Sequence, residues 1–150
     1  MLRRSERQTS GGFSTKLAKL TIAGGLGFWL ANYAISLTPI AAEYRAALSI
    51  SYLPMLLEAL VGGLVIGFGV SYCLLRCFDN ISTTNPTLKS VIVSLIALIG
   101  VTLLIEVPAK LLTTTNDALR YFLIAAVFNI QRILALGIAI GYFYKELRDE

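Results

Sequence analysis

Four apolar stretches, at roughly residues 17–37, 52–75, 88–107 and 121–144, leave this chain few ways to fold. Each approaches the ~20 residues that cross a bilayer as a helix, and together they occupy most of a 150-residue chain. Hydrocarbon offers no water to backbone amides, so segments like these satisfy their hydrogen bonds internally, as helices. The expected fold is therefore all-α: a single transmembrane domain over residues 1–150, an integral membrane four-helix bundle. Its helices should lie near 15–38, 51–77, 87–107 and 116–146, behind a flexible cytoplasmic arm over 1–12. A mean hydropathy of +0.72 excludes an ordinary soluble domain.

Charge placement orients the helices. Arg3, Arg4, Arg7, Lys16, Lys19, Arg76, Lys89, Lys145 and Arg148 fall on one side, against Arg45, Lys110 and Arg120 on the other. By the positive-inside rule both termini are cytoplasmic, and a plasma (cell) membrane location is expected. Topology and lipid headgroups account for the net charge of +4, so nucleic acid is not an expected partner. The first apolar stretch is too long for a signal-peptide core and lacks a clear A-x-A site, so it reads as a retained helix.

Local signals mark the ends. Pro39 stops the first helix, and a turn of interfacial helix is expected over 41–48. Ser51 caps the second helix, with Pro54 in its first turn. Residues 78–86 form the cytoplasmic turn, in which the sequon Asn80-Ile81-Ser82 reads as chance. Thr115 or Asn116 caps the fourth helix, with Asp117 in its first turn.

Arg132 stands out inside the last stretch, with eleven uncharged residues before it and twelve after. At ~1.5 Å per residue it lies about 17 Å inside its helix, Asn129 about 13 Å, Asn32 about 8 Å, Glu58 about 9 Å and Glu106 about 3 Å. These five are the candidate binding residues. A guanidinium at that depth costs ~2.5–3.5 kcal/mol unless it is partnered, so a tie to Glu58, helped by Asn129 and Asn32, is expected. The same groups could instead line an outward-facing cavity for a small anion or a lipid headgroup, since the planar fork of Arg suits carboxylate and phosphate.

Helical spacing assigns faces. Thr21, Gly25, Phe28, Asn32 and Ser36 form one stripe, Glu58 shares another with Gly62, Gly69 and Cys73, and Arg132 shares a third with Asn129 and Leu136. Each stripe could face the bundle interior. Ala59, Gly63 and Gly67, and likewise Gly137 and Gly141, form small-residue faces suited to close helix approach. They are expected to hold neighbouring helices or a second copy of the chain in a homo-oligomer.

Catalysis is not expected. There is no histidine, no metal-ligand cluster and no nucleotide loop, and Cys73 with Cys77 reads as packing. No cofactor is expected. The function read from the chain is a small transporter, channel or lipid-handling protein with an intramembrane polar site. The alternative is a noncatalytic membrane subunit or scaffold that binds a larger partner through glycine-rich helix faces.

Overall fold

A computed structural model describes residues 2–77, 83–108 and 117–149. Among these the chain forms five α-helices: α1 (Leu2–Ser36), α2 (Pro39–Ala47), α3 (Tyr52–Cys77), α4 (Pro86–Val101) and α5 (Ala118–Asp149). A π-helical stretch, Thr102–Glu106, continues α4. The described residues contain no strand. The cap expected at Thr115 or Asn116, the sequon and most of the turn expected on the cytoplasmic side lie outside the described residues.

Three helices are long and apolar enough to cross a membrane: α3, α4 continued to Leu104, and α5. The Gly12–Ser36 part of α1 reaches that standard only together with α2, from which it is bent by 89°. Its own hydropathy is lowered by Asn32 and by Gly24, Gly25 and Gly27. The packing explains why α1 tolerates them. It lies against α3 on one side and α5 on another, while α4 packs on α5 and α3 meets α4 and α5 only lightly. α1 lies between α3 and α5, and its Gly24, Gly25, Asn32 and Ser36 are buried.

Glycines set the spacing of every main contact. Added methyls at Gly63 and Gly67 would lie 3.0 Å from Phe28 and 3.1 Å from the Thr21 carbonyl oxygen, both on α1. Gly24 and Gly27 face Leu136, Ile140, Ala135 and Ala139 of α5, and Gly137 and Gly141 meet Val91, Ser94 and Thr87 of α4. In each pair numbers rise on one helix as they fall on the other, so neighbours run antiparallel. The small-residue faces are thus consumed within one chain, and none of the glycines named for a homo-oligomer is left open. Lipid tails are as apolar as leucine, so close backbone approach supplies the attraction that water would supply elsewhere. Around these contacts Leu20, Phe28, Val70, Leu74, Ile133, Leu136 and Ile140 form the buried core.

The helix ends follow local chemistry. α1 begins at Leu2, so the stretch expected as a flexible arm is helical, and it stops at Ser36, before Pro39. Thr38 Oγ1 accepts from the Ala41 amide to cap α2, with Pro39 in its first turn. Amides of Ser49 and Ile50 close α2 on the Ala46 and Arg45 carbonyls, which places Ser49 at φ 54°, the left-handed geometry of a Schellman cap. α3 starts at Tyr52, and the Ser51 carbonyl accepts from Met55. Asn85 accepts from the Thr87 amide ahead of Pro86, a cap-plus-proline signal that starts α4 one residue before the expected Thr87.

Candidate functional site

The polar groups gather at the α2 end of the molecule. Arg132 projects from the middle of α5, half-buried. Its Nη1 donates to Asn129 Oδ1 at 3.0 Å, a bond between residues three apart on one helix face. Its guanidinium carbon lies 5.9 Å from the centre of the Phe128 ring, within cation–π range. Phe128 in turn takes the edge of Tyr44 from α2, ring centres 5.9 Å apart. Phe128 thus touches both the guanidinium of its own helix and an aromatic ring of α2.

α2 is fastened over this end from three directions. Arg45 Nη1 donates to the Ser36 carbonyl at 3.0 Å and its guanidinium lies 5.1 Å from the Tyr52 ring centre. The Ser36 and Tyr52 hydroxyls share a hydrogen bond at 3.2 Å. Tyr44 also meets Tyr121 edge-on, and Arg120 Nη2 reaches Glu43 Oε1 at 2.7 Å. That last pair is about half exposed on both sides, so it contributes little by itself. Below α2, Trp29 Nε1 donates to the Leu56 carbonyl and ties α1 to α3.

Asn32 lies at the same level on α1, on the stripe whose Gly25 and Phe28 meet α3. It is 1% exposed, and its Nδ2 has no hydrogen-bond partner. Gly27 lies against Ala135 and Ala139, so in an antiparallel pair Asn32, five residues on, is level with residues 130–134 of α5, the turn that bears Arg132. Thr21, Ser71 and Ser90 also hold buried hydroxyls without a partner. A hydroxyl in a helix can turn toward the carbonyl four residues back, whereas an amide carries two hydrogens in a fixed plane.

Glu58 does not join them. The close approaches of Gly63 to Phe28 and of Gly67 to Gly25 place Glu58 at the depth of Asn32, as expected, but its side chain is exposed on the far side of α3. α1 stands between α3 and α5, so the anticipated Glu58–Arg132 tie is not formed. Because Gly63 and Gly67 turn toward α1, the stripe of Glu58, Gly62, Gly69 and Cys73 turns outward. Space beside Gly62 and Gly69 is open. The α1 stripe, by contrast, does face inward: Gly25, Phe28, Asn32 and Ser36 are buried. Glu106 ends the π-helical stretch, at the same end of the molecule as α2.

Tyr44 and Phe128 carry no expectation from the sequence, and Arg45 enters it only as an outer-side charge. Their signal was a proline-started amphipathic turn bearing a tyrosine and an arginine at a membrane boundary. Lys89, placed at the inner boundary by its sequence position, is 5% exposed.

Chemically, the cluster is rich in donors. The Arg132 fork and the Asn32 amide present N–H groups at one depth, and aromatic rings close the side toward α2. Such a set suits an oxygen-bearing, negatively charged or strongly polar group. No protein-family model, curated protein or solved structure matches this chain.

Proposed function

We propose that this chain is a noncatalytic multi-pass membrane protein, a four-helix bundle with both termini cytoplasmic, working as a small transporter, channel or lipid-handling protein. It offers a polar site beneath α2 to a small anion or a lipid headgroup. The observation that carries this reading is the buried, unpartnered Nδ2 of Asn32 at the depth of Arg132. In hydrocarbon such a donor costs several kcal/mol, a cost that a bound acceptor would remove.

Reconstituted protein, assayed for thermal stabilisation by phosphate, by small carboxylates and by short-chain acidic phospholipid, tests the site. One of these should stabilise the wild type in a saturable way. Arg132→Lys keeps the charge but loses the planar fork, and is expected to bind ~10–100-fold more weakly, as for a lost hydrogen bond between charged groups. Absence of any saturable response in the wild type, or an unchanged affinity in Arg132→Lys, would remove this site from the reading.

The orientation has its own check. In a background lacking Cys73 and Cys77, cysteines placed at Ser10 and Asp149 should react with an impermeant reagent only in opened cells. One at exposed Ala47 should react from outside. Labelling of Ser10 from outside would reverse the topology.

A second reading, a membrane subunit that binds a larger partner or another copy of itself, is favoured by a different observation. Glu58 points outward at membrane depth beside the open Gly62 and Gly69. Carboxylates at such depth ordinarily face protein or a water-filled cavity, and a partner helix would supply that cover.

A further inference from the structure

At the opposite end, where both termini lie, α1 touches α3 and α5 while those two meet only lightly. The gap between them is a cleft of about 70 Å³ lined by Lys16 and Leu20 of α1, Leu75 of α3, and Tyr144, Leu147 and Arg148 of α5. That volume is well above what a single water needs. Its floor is apolar: Leu20 is fully buried, and Leu75, Tyr144 and Leu147 pack on the core. Its rim carries two cations from different helices, both exposed. None of Glu43, Glu58, Asp117 and Glu146, the acids whose side chains are described, pairs with either.

We propose that this cleft binds the phosphate group of an acidic phospholipid. Lys16 and Arg148 approach the phosphate from opposite sides, and the lightly closed groove between α3 and α5 takes the adjoining acyl chain. The chemistry follows from the pairing of a two-cation rim with an apolar floor at the depth where a helix passes from hydrocarbon to headgroups. A soluble anion would use the rim and leave the floor unused. Arg148 also lies in the last turn of α5, where it complements the helix dipole. Lys16 sits well inside α1, where no helix end calls for a cation. The cleft is sixteen residues along α5 from Arg132, about 24 Å, so it is a site apart from the one proposed beneath α2.

The test compares two double variants of equal charge change. Lys16→Gln/Arg148→Gln removes the rim, and Lys19→Gln/Lys145→Gln removes two exposed cations at the same end that do not line the cleft. Each is titrated with phosphatidylglycerol in phosphatidylcholine nanodiscs, and separately with inorganic phosphate, reading thermal stability and lipid retained by native mass spectrometry. Each cation near an anionic lipid contributes about fivefold, so the rim variant should lose ~30-fold in apparent affinity, with the control closer to wild type. If the rim variant loses phosphate but not lipid binding, the cleft stands and its occupant is a soluble phosphate. Equal losses in both variants would show diffuse surface attraction and overturn the site. So would a wild type that saturates with neither probe.

Discussion

Leucine at Gly141 is expected to part α4 from α5 and to lower stability by ~3 kcal/mol or more. A side chain there would drive its first carbon into the Thr87 backbone, which cannot turn aside as a flexible side chain could. Overpacking in ordinary cores costs ~1–3 kcal/mol, and an obstacle made of main chain belongs at or beyond the top of that range. Gly137→Ala should be milder, since its methyl would meet Ser94 Oγ at 2.8 Å and Val91 Cα only at 3.0 Å, and Ser94 can change rotamer at the cost of its bond to the Ser90 carbonyl. Gly62→Leu and Gly69→Leu enter open space, so their effect on fold stability should stay within ~0.5 kcal/mol. Thermal unfolding in nanodiscs, with mass measured in parallel, separates the cases. If Gly141→Leu changed oligomer mass but not stability, that face would be a contact between copies. If Gly62→Leu dissociated a complex without touching stability, the outward face of α3 would be the one that holds a partner.

This contrast between glycines also shows what sequence could and could not reveal. Depth was legible, because the rise of a helix is fixed and the ends are marked by Pro39, Ser51 and Pro86. Asn32 and Glu58 therefore occupy nearly the same level, as their positions along the stretches implied, whereas Arg132, expected about 8 Å deeper, stands level with them because the helices are offset along their axes. Azimuth was not legible for α3, because two stripes competed for the inside: the Glu58 stripe and the Gly63–Gly67 stripe. In water a carboxylate would have been the natural outward choice, and in lipid it is the natural inward one. The glycines prevailed because a contact in lipid is made by backbone proximity, and Gly25 on α1 offers a matching small surface. The order of neighbours, α3 against α1, α1 against α5, α5 against α4, decides which polar groups can meet, and nothing local encodes it. A tie from Glu58 to Arg132 needed α3 beside α5. α2 was foreseen as an interfacial turn, yet its role as a cover over Phe128 and Arg132 depends on that same order.

Replacing Asn32 by leucine offers the sharpest test of the candidate site, because the sign of the effect differs between readings. If Asn32 were a structural tie, its loss would cost the ~0.6–2 kcal/mol measured for polar contacts between membrane helices. In this structure its Nδ2 is buried without a partner, and an unsatisfied buried donor is itself worth ~1–3 kcal/mol of destabilisation. Leucine has similar bulk and no donor, so Asn32→Leu is expected to raise stability by ~1–2 kcal/mol, with any overpacking against Phe28 or Ile133 set against that gain. The same variant should weaken an anionic ligand about tenfold or more, since a hydrogen bond to a charged group contributes ~1.5–3 kcal/mol. Gained stability with lost binding is the pattern of a donor kept in readiness for a ligand. A fall in stability would show that the amide is already satisfied in the membrane, and the donor set beneath α2 would then reduce to Arg132 and Asn129, already joined to each other at 3.0 Å.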